Sequence, residues 1–288
     1  MARWTVNGLV RTGARSAPGQ FVLRVARDLG DLALVDRGMT LAAHVFTSII
    51  PILIIAGALR SSLDPDSGPI IAEHLGLDAA TADILEKSLP GGAQELRATG
   101  VIGMVLLVIA ATSFARALER SLRTIWRTPT VSIKFAWRWL AALAAVVVGL
   151  GVVVATRIIV RGEGPVPVVE FLAEVVLWGA LWWIASWIVI NRRVSLRELL
   201  PGAVLTGFGF AVAGVIGRVF LPPLLADSAT RYGVLGMAFT YIGWLLVLAF
   251  ILLISATVGR VAYLTYTGRA WRRSVSAPGG GARISHGR

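Results

Sequence analysis

Four arginines carry the most pointed chemistry in this chain. Arg116, Arg120, Arg123 and Arg127 are spaced 4, 3 and 4 residues apart, which places them on one face of a helix. A guanidinium presents parallel N–H donors that match a phosphate or carboxylate, a geometry that lysine does not supply. Such a ladder could hold a lipid phosphate or a substrate carboxylate. It could equally be an orientation signal that ends a membrane span and touches anionic headgroups. Glu119 precedes Arg123 by one helical turn and can pair with it. Leu118, Leu122, Ile125 and Trp126 lie on another face, so the helix is expected to continue to about Pro129.

The other chemistry-bearing residues do not converge. The chain has no cysteine, which removes disulfides, thiolate metal sites and cysteine nucleophiles. His44, His74 and His286 fall in different segments, and metal-dependent hydrolysis needs clustered ligands. No catalytic residue, metal site or cofactor is expected, and the sequence reads as a non-enzyme.

Composition decides what positions the arginines. Of the 288 residues, 56% are hydrophobic and 15% charged, and the mean hydropathy is +0.75. A soluble domain carries about 25% charge, so a soluble enzyme is excluded and a multi-spanning membrane protein expected. Windows without Asp, Glu, Lys or Arg occur at 38–59, 98–115, 139–156, 175–191, 199–217 and 232–259. Each is long enough to cross the hydrocarbon layer as a helix. No cleavable signal peptide is expected before the first window.

The charges divide by side. Segments 1–37, 116–138, 192–198 and 260–288 hold 21 basic and 5 acidic residues; the alternate segments hold 7 basic and 11 acidic. The positive-inside rule then puts both termini in the cytoplasm of an inner-membrane protein. The net charge of +12 is explained by topology, without nucleic acid. The fold class is therefore all-α: a six-helix transmembrane bundle over 38–259, with the segment 60–97 as a small external helical cap. The segment 260–288 is a cytoplasmic tail, expected to be largely disordered.

Within 1–37, Phe21, Val25, Leu29 and Leu32 recur at near-helical spacing, with Arg24, Arg27, Asp28 and Asp31 largely on another face. This amphipathic helix either lies on the inner leaflet or packs against the bundle ends. Pro51 should kink the first span. Gly209, Ala213 and Gly217 form a small-residue stripe that admits close helix approach, with a substrate path as the other reading. Pro222-Pro223 is expected to end that helix, and Arg157 and Arg218 to snorkel near outer ends. The six windows leave no carboxylate at depth, which counts against an ion-driven pump.

Several stretches together resemble the BrkB/YihY family of bacterial inner-membrane proteins. They are Thr40-Leu41-Ala42-Ala43-His44-Val45-Phe46-Thr47-Ser48-Ile49-Ile50-Pro51, the helix Arg116-Ala117-Leu118-Glu119-Arg120-Ser121-Leu122-Arg123-Thr124-Ile125-Trp126, Asn191-Arg192-Arg193-Val194 with Leu199-Leu200-Pro201-Gly202-Ala203, and Tyr232-Gly233-Val234-Leu235-Gly236. The resemblance covers roughly 20–265. It implies a six-helix bundle, a role in envelope integrity, and transport of a lipid or lipid-linked precursor as the activity to consider. Structural scaffolding without transport is the other reading. The family often has Gly-Ala-Glu where Ser255-Ala256-Thr257 stand, and Tyr where His44 stands. An old label for the family, ribonuclease BN, is not supported by the separated histidines. The expected partners are membrane lipids, anionic ones above all, and not nucleic acid.

Overall fold

The structure, a computed structural model, describes residues 17–60, 93–129, 167–190 and 192–267. These residues form five helices: α1 (Ala17–Asp31), α2 (Leu34–Arg60), α3 (Ala93–Trp126), α4 (Pro167–Val189) and α5 (Leu196–Tyr266). There is no strand among the described residues. The window 139–156, the bulk of the 60–97 segment and the tail beyond 267 lie outside them.

Among the described residues, three helices are long and apolar enough to cross a membrane: Val101–Trp126, Val168–Val189 and Leu196–Tyr266. Only 22–28% of their most apolar stretches is buried, so most of that apolar surface faces outward. Water would penalise this exposure heavily, whereas hydrocarbon accepts it.

The 71-residue α5 is two helical arms joined at Gly233. Its φ of 61° and ψ of −147° lie in a region that essentially only glycine occupies. The arms run antiparallel. Gly202 abuts Ala256, Gly209 faces Ile251, and Gly217 faces Trp244. Near the turn, Ser228 Oγ lies 2.8 Å from Thr240 Oγ1. The break therefore falls later than Pro222-Pro223, through which the helix continues. Proline fixes a φ that suits a helix, so two prolines weaken hydrogen bonds without reversing the chain; the reversal needs the glycine.

The first arm starts on a serine N-cap. Ser195 caps the helix and its hydroxyl accepts the Glu198 N–H at 3.3 Å. This arm packs against α4 through aromatic contacts. Phe210 stacks on Trp178 at 5.3 Å and lies 5.7 Å from Trp182. The backbones come close enough that a Cβ on Gly207 would meet the Val175 carbonyl and lie 2.8 Å from the Gly179 Cα. A Cβ on Gly259 would likewise collide with Gly202, 3.0 Å from the Pro201 carbonyl carbon. Gly202, Gly207 and Gly259 bring backbones together, whereas Gly209 and Gly217 of the sequence-read stripe receive the side chains of Ile251 and Trp244. Ala213 is buried.

The core joins α2, α3, α4 and α5 through Leu41, Leu118, Leu122, Ile125, Trp182, Ala185, Phe210 and Leu253. The α2 helix runs through Pro51, which is buried. On α1 the expected inward face is present: Phe21, Val25 and Leu29 are half-buried and Leu32 is 1% exposed. It packs against the bundle ends, chiefly α5. Asp28 departs from the expectation. It turns inward with this apolar face because cations wait there.

Candidate functional site

The basic end of the bundle is assembled by three chain reversals. Helix α3 closes on a Schellman motif in which Thr128 N–H donates to the Arg123 carbonyl at 3.1 Å and Arg127 N–H to that of Thr124 at 3.4 Å. The left-handed position of that motif normally takes glycine; here Arg127 occupies it with a φ of 51°. Arg192, at the end of α4, has a φ of 54° and lies 4.5 Å over the Trp187 ring. Ala33, with a φ of 51°, turns α1 into α2.

These reversals split the four-arginine ladder. Arg116 and Arg120 are exposed on the outer face of α3. Arg123 is largely buried and its guanidinium approaches Glu119 at 3.7 Å. The left-handed turn swings Arg127 away, to Asp28 at 3.3 Å. The face read from the spacing is therefore kept by Arg116, Arg120 and Arg123 within α3, the first two exposed, and only Arg127 leaves it.

Asp28 accepts a second cation. Arg260 Nη1 donates to its other oxygen at 2.9 Å, and the Arg260 side chain is 7% exposed. Two guanidiniums thus share one carboxylate. A cavity of about 330 Å³ opens on one side of this cluster, bounded by Trp126, Arg127, Thr128, Arg193, Glu198 and Arg260 among others. A second, of about 280 Å³, lies on the other side and includes Asp28, Asp31, Thr124, Thr257 and the same two arginines.

Sequence reasoning missed Asp28, Arg260, Arg193 and Glu198. A signal for Arg260 existed: it falls one heptad after Leu253, which is 0% exposed, on the most buried stripe of α5. A charge in phase with a core stripe must find a partner.

At the hairpin end Arg218 does not merely snorkel. It donates to Glu170 at 3.2 Å and also contacts Glu174, whose side chain is 4% exposed. Helix α4 begins at Pro167, before the charge-free window, so both acids stand in its first turns and face α5.

A bundle of long apolar helices with outward hydrophobic faces and a cationic end is the build of an integral membrane protein. A family model described as "Virulence factor BrkB" matches residues 26–277, most of the chain, and the chain belongs to that family. No curated protein and no solved structure matches it.

Proposed function

We propose that this BrkB-family membrane protein is a non-enzymatic, multi-pass protein of the bacterial inner membrane that holds anionic lipid headgroups at its cytoplasmic side. The observation that carries this reading is the outer face of α3. Val101, Val105 and Ile109 are exposed at helical spacing, and the same stripe continues through Thr112 to the exposed Arg116 and Arg120. Ile109 and Arg116 are two turns apart, about 10 Å along the axis, which is the depth from acyl chains to headgroup phosphates. The side assignment rests on the charge split in the sequence, with six spans and both termini inside.

Passage of such a lipid across the bilayer would extend this reading, with a role in envelope integrity. The second reading is a scaffold without transport, favoured by the backbone contacts at Gly207 and Gly259, which leave no route between those helices. Replacing Arg116 and Arg120 together by lysine tests the headgroup reading. Topology and expression should persist, because lysine serves as an orientation signal. Co-purified anionic lipid, measured by native mass spectrometry, should fall. Retention of the lipid would reduce these residues to orientation signals.

A further inference from the structure

We propose that the cavity between the ends of α3 and α5 is a binding site for a phosphate group, separate from the exposed Arg116–Arg120 face. Three guanidiniums from three different segments border it: Arg127 at the end of α3, Arg193 before α5, and Arg260 near the end of α5. Among the described residues the acids at hand are Glu198 in the cavity wall and Asp28 behind it, so there three positive charges face two negative ones. Arg260 is 6% exposed, and in such surroundings an added anion is attracted far more strongly than in water.

A further feature points the same way. The capped N-terminus of α5 flanks the cavity through Val194 and Glu198, and helix N-termini favour anions.

Phosphate suits the site better than a carboxylate because three or more oxygens can meet several guanidiniums at once. At about 330 Å³ the cavity takes a single phosphate ester or a headgroup, not a polymer. The phosphate can come from a membrane lipid or from a free small molecule, and the two sources share this chemistry.

The test uses the full chain in uncharged detergent at constant ionic strength. Inorganic phosphate and a short-chain phosphatidylglycerol are titrated separately by calorimetry. At least one should bind saturably. Saturation by inorganic phosphate assigns the free phosphate group as sufficient; saturation by the lipid alone assigns a headgroup. Arg193→Gln should weaken binding about tenfold or more, the loss of one charge-assisted contact. Arg127→Gly should weaken it several-fold. Both changes sit outside the core, and the unliganded unfolding temperature checks that the fold persists. Arg231→Gln, at the far turn of α5, should leave the affinity within about twofold of native, since that residue is in neither the cavity wall nor the outer face of α3. The proposal is overturned if neither probe saturates, if both cavity variants bind as the native chain does, or if Arg231→Gln weakens binding as much as they do. Because Arg116 and Arg120 belong to the headgroup reading and not to this cavity, the two ideas fail separately.

Discussion

Asp28 and Arg260 are 232 positions apart in the chain and 2.9 Å apart in space. The contact ties α1, the first described helix, to the end of α5, the last. Without it α1 would be held by the half-buried Phe21, Val25 and Leu29 and by Leu32 at the turn. Apolar contacts resist sliding poorly, whereas a carboxylate between Arg127 and Arg260 fixes one register.

Asp28→Asn preserves shape and removes the charge. The Arg260 guanidinium then stays buried beside a weaker acceptor, which should cost about 2–4 kcal/mol. Thermal unfolding in detergent measures the loss, and limited proteolysis at the exposed Arg24 and Arg27 should accelerate. A stability change below about 0.5 kcal/mol would show that the pair contributes no more than a surface bridge.

Glycines along the membrane helices should divide sharply under substitution by alanine. Gly207→Ala and Gly259→Ala place a methyl against neighbouring backbone, which cannot step aside, so each should cost about 1–3 kcal/mol. Gly243→Ala meets nothing within 4 Å and should stabilise its helix by about 0.5–1 kcal/mol. Gly209→Leu and Gly217→Leu press on Ile251 and Trp244, whose side chains can give, so milder losses are expected per added atom. Equal unfolding temperatures for Gly207→Ala and Gly243→Ala would refute the close approach.

Gly233→Ala tests conformation rather than space. Nothing lies within 4 Å of the added methyl, yet the backbone there is closed to other residues. The variant should lose about 1–3 kcal/mol, read as a lower unfolding temperature at unchanged helical content. A neutral result would mean that the turn relaxes to another conformation.

Arg218→Met should be worse than Glu174→Gln. The first leaves Glu170 and Glu174 facing each other without their cation, at about 2–4 kcal/mol. The second keeps the Arg218–Glu170 pair and a hydrogen-bond acceptor, and should cost about half as much. Comparing their unfolding temperatures decides the order.

Arg127→Gly weighs two small effects against each other. Glycine relieves the left-handed backbone, a gain of about 1 kcal/mol, and forfeits a bridge whose arginine is 61% exposed, a loss of at most about 1 kcal/mol. Stability should remain within about 1 kcal/mol of native, while phosphate binding in the adjacent cavity falls.

Much of the helical layout was readable in the chain, because long apolar windows leave little choice of structure in lipid. The windows at 38–59, 98–115, 199–217 and 232–259 sit inside α2, α3 and the two arms of α5, and most of 175–191 sits inside α4. The extension of α3 to Trp126 followed from its alternating faces, and the inward face of α1 from its apolar spacing. The site was less legible for a physical reason. Spacing along one helix says which residues share a face, and Arg116, Arg120 and Arg123 do. It cannot show that a left-handed residue ends the helix before Arg127, nor that Asp28 and Arg260 meet across the bundle. Windows chosen for lacking charge also hid Glu170 and Glu174, which lie in the same helix as the apolar run that follows.

The turn at Gly233 also sets a length. Each arm of α5 is roughly half of its 71 residues, which at 1.5 Å per residue is about 53 Å. A bilayer with its headgroups is only about 40–45 Å thick. Each arm is therefore about 10 Å longer than a bilayer with its headgroups is thick, and the exposed Asp227, Arg231 and Tyr232 stand at the turn. In a membrane such a surplus has to be taken up by tilt or by protrusion of one end.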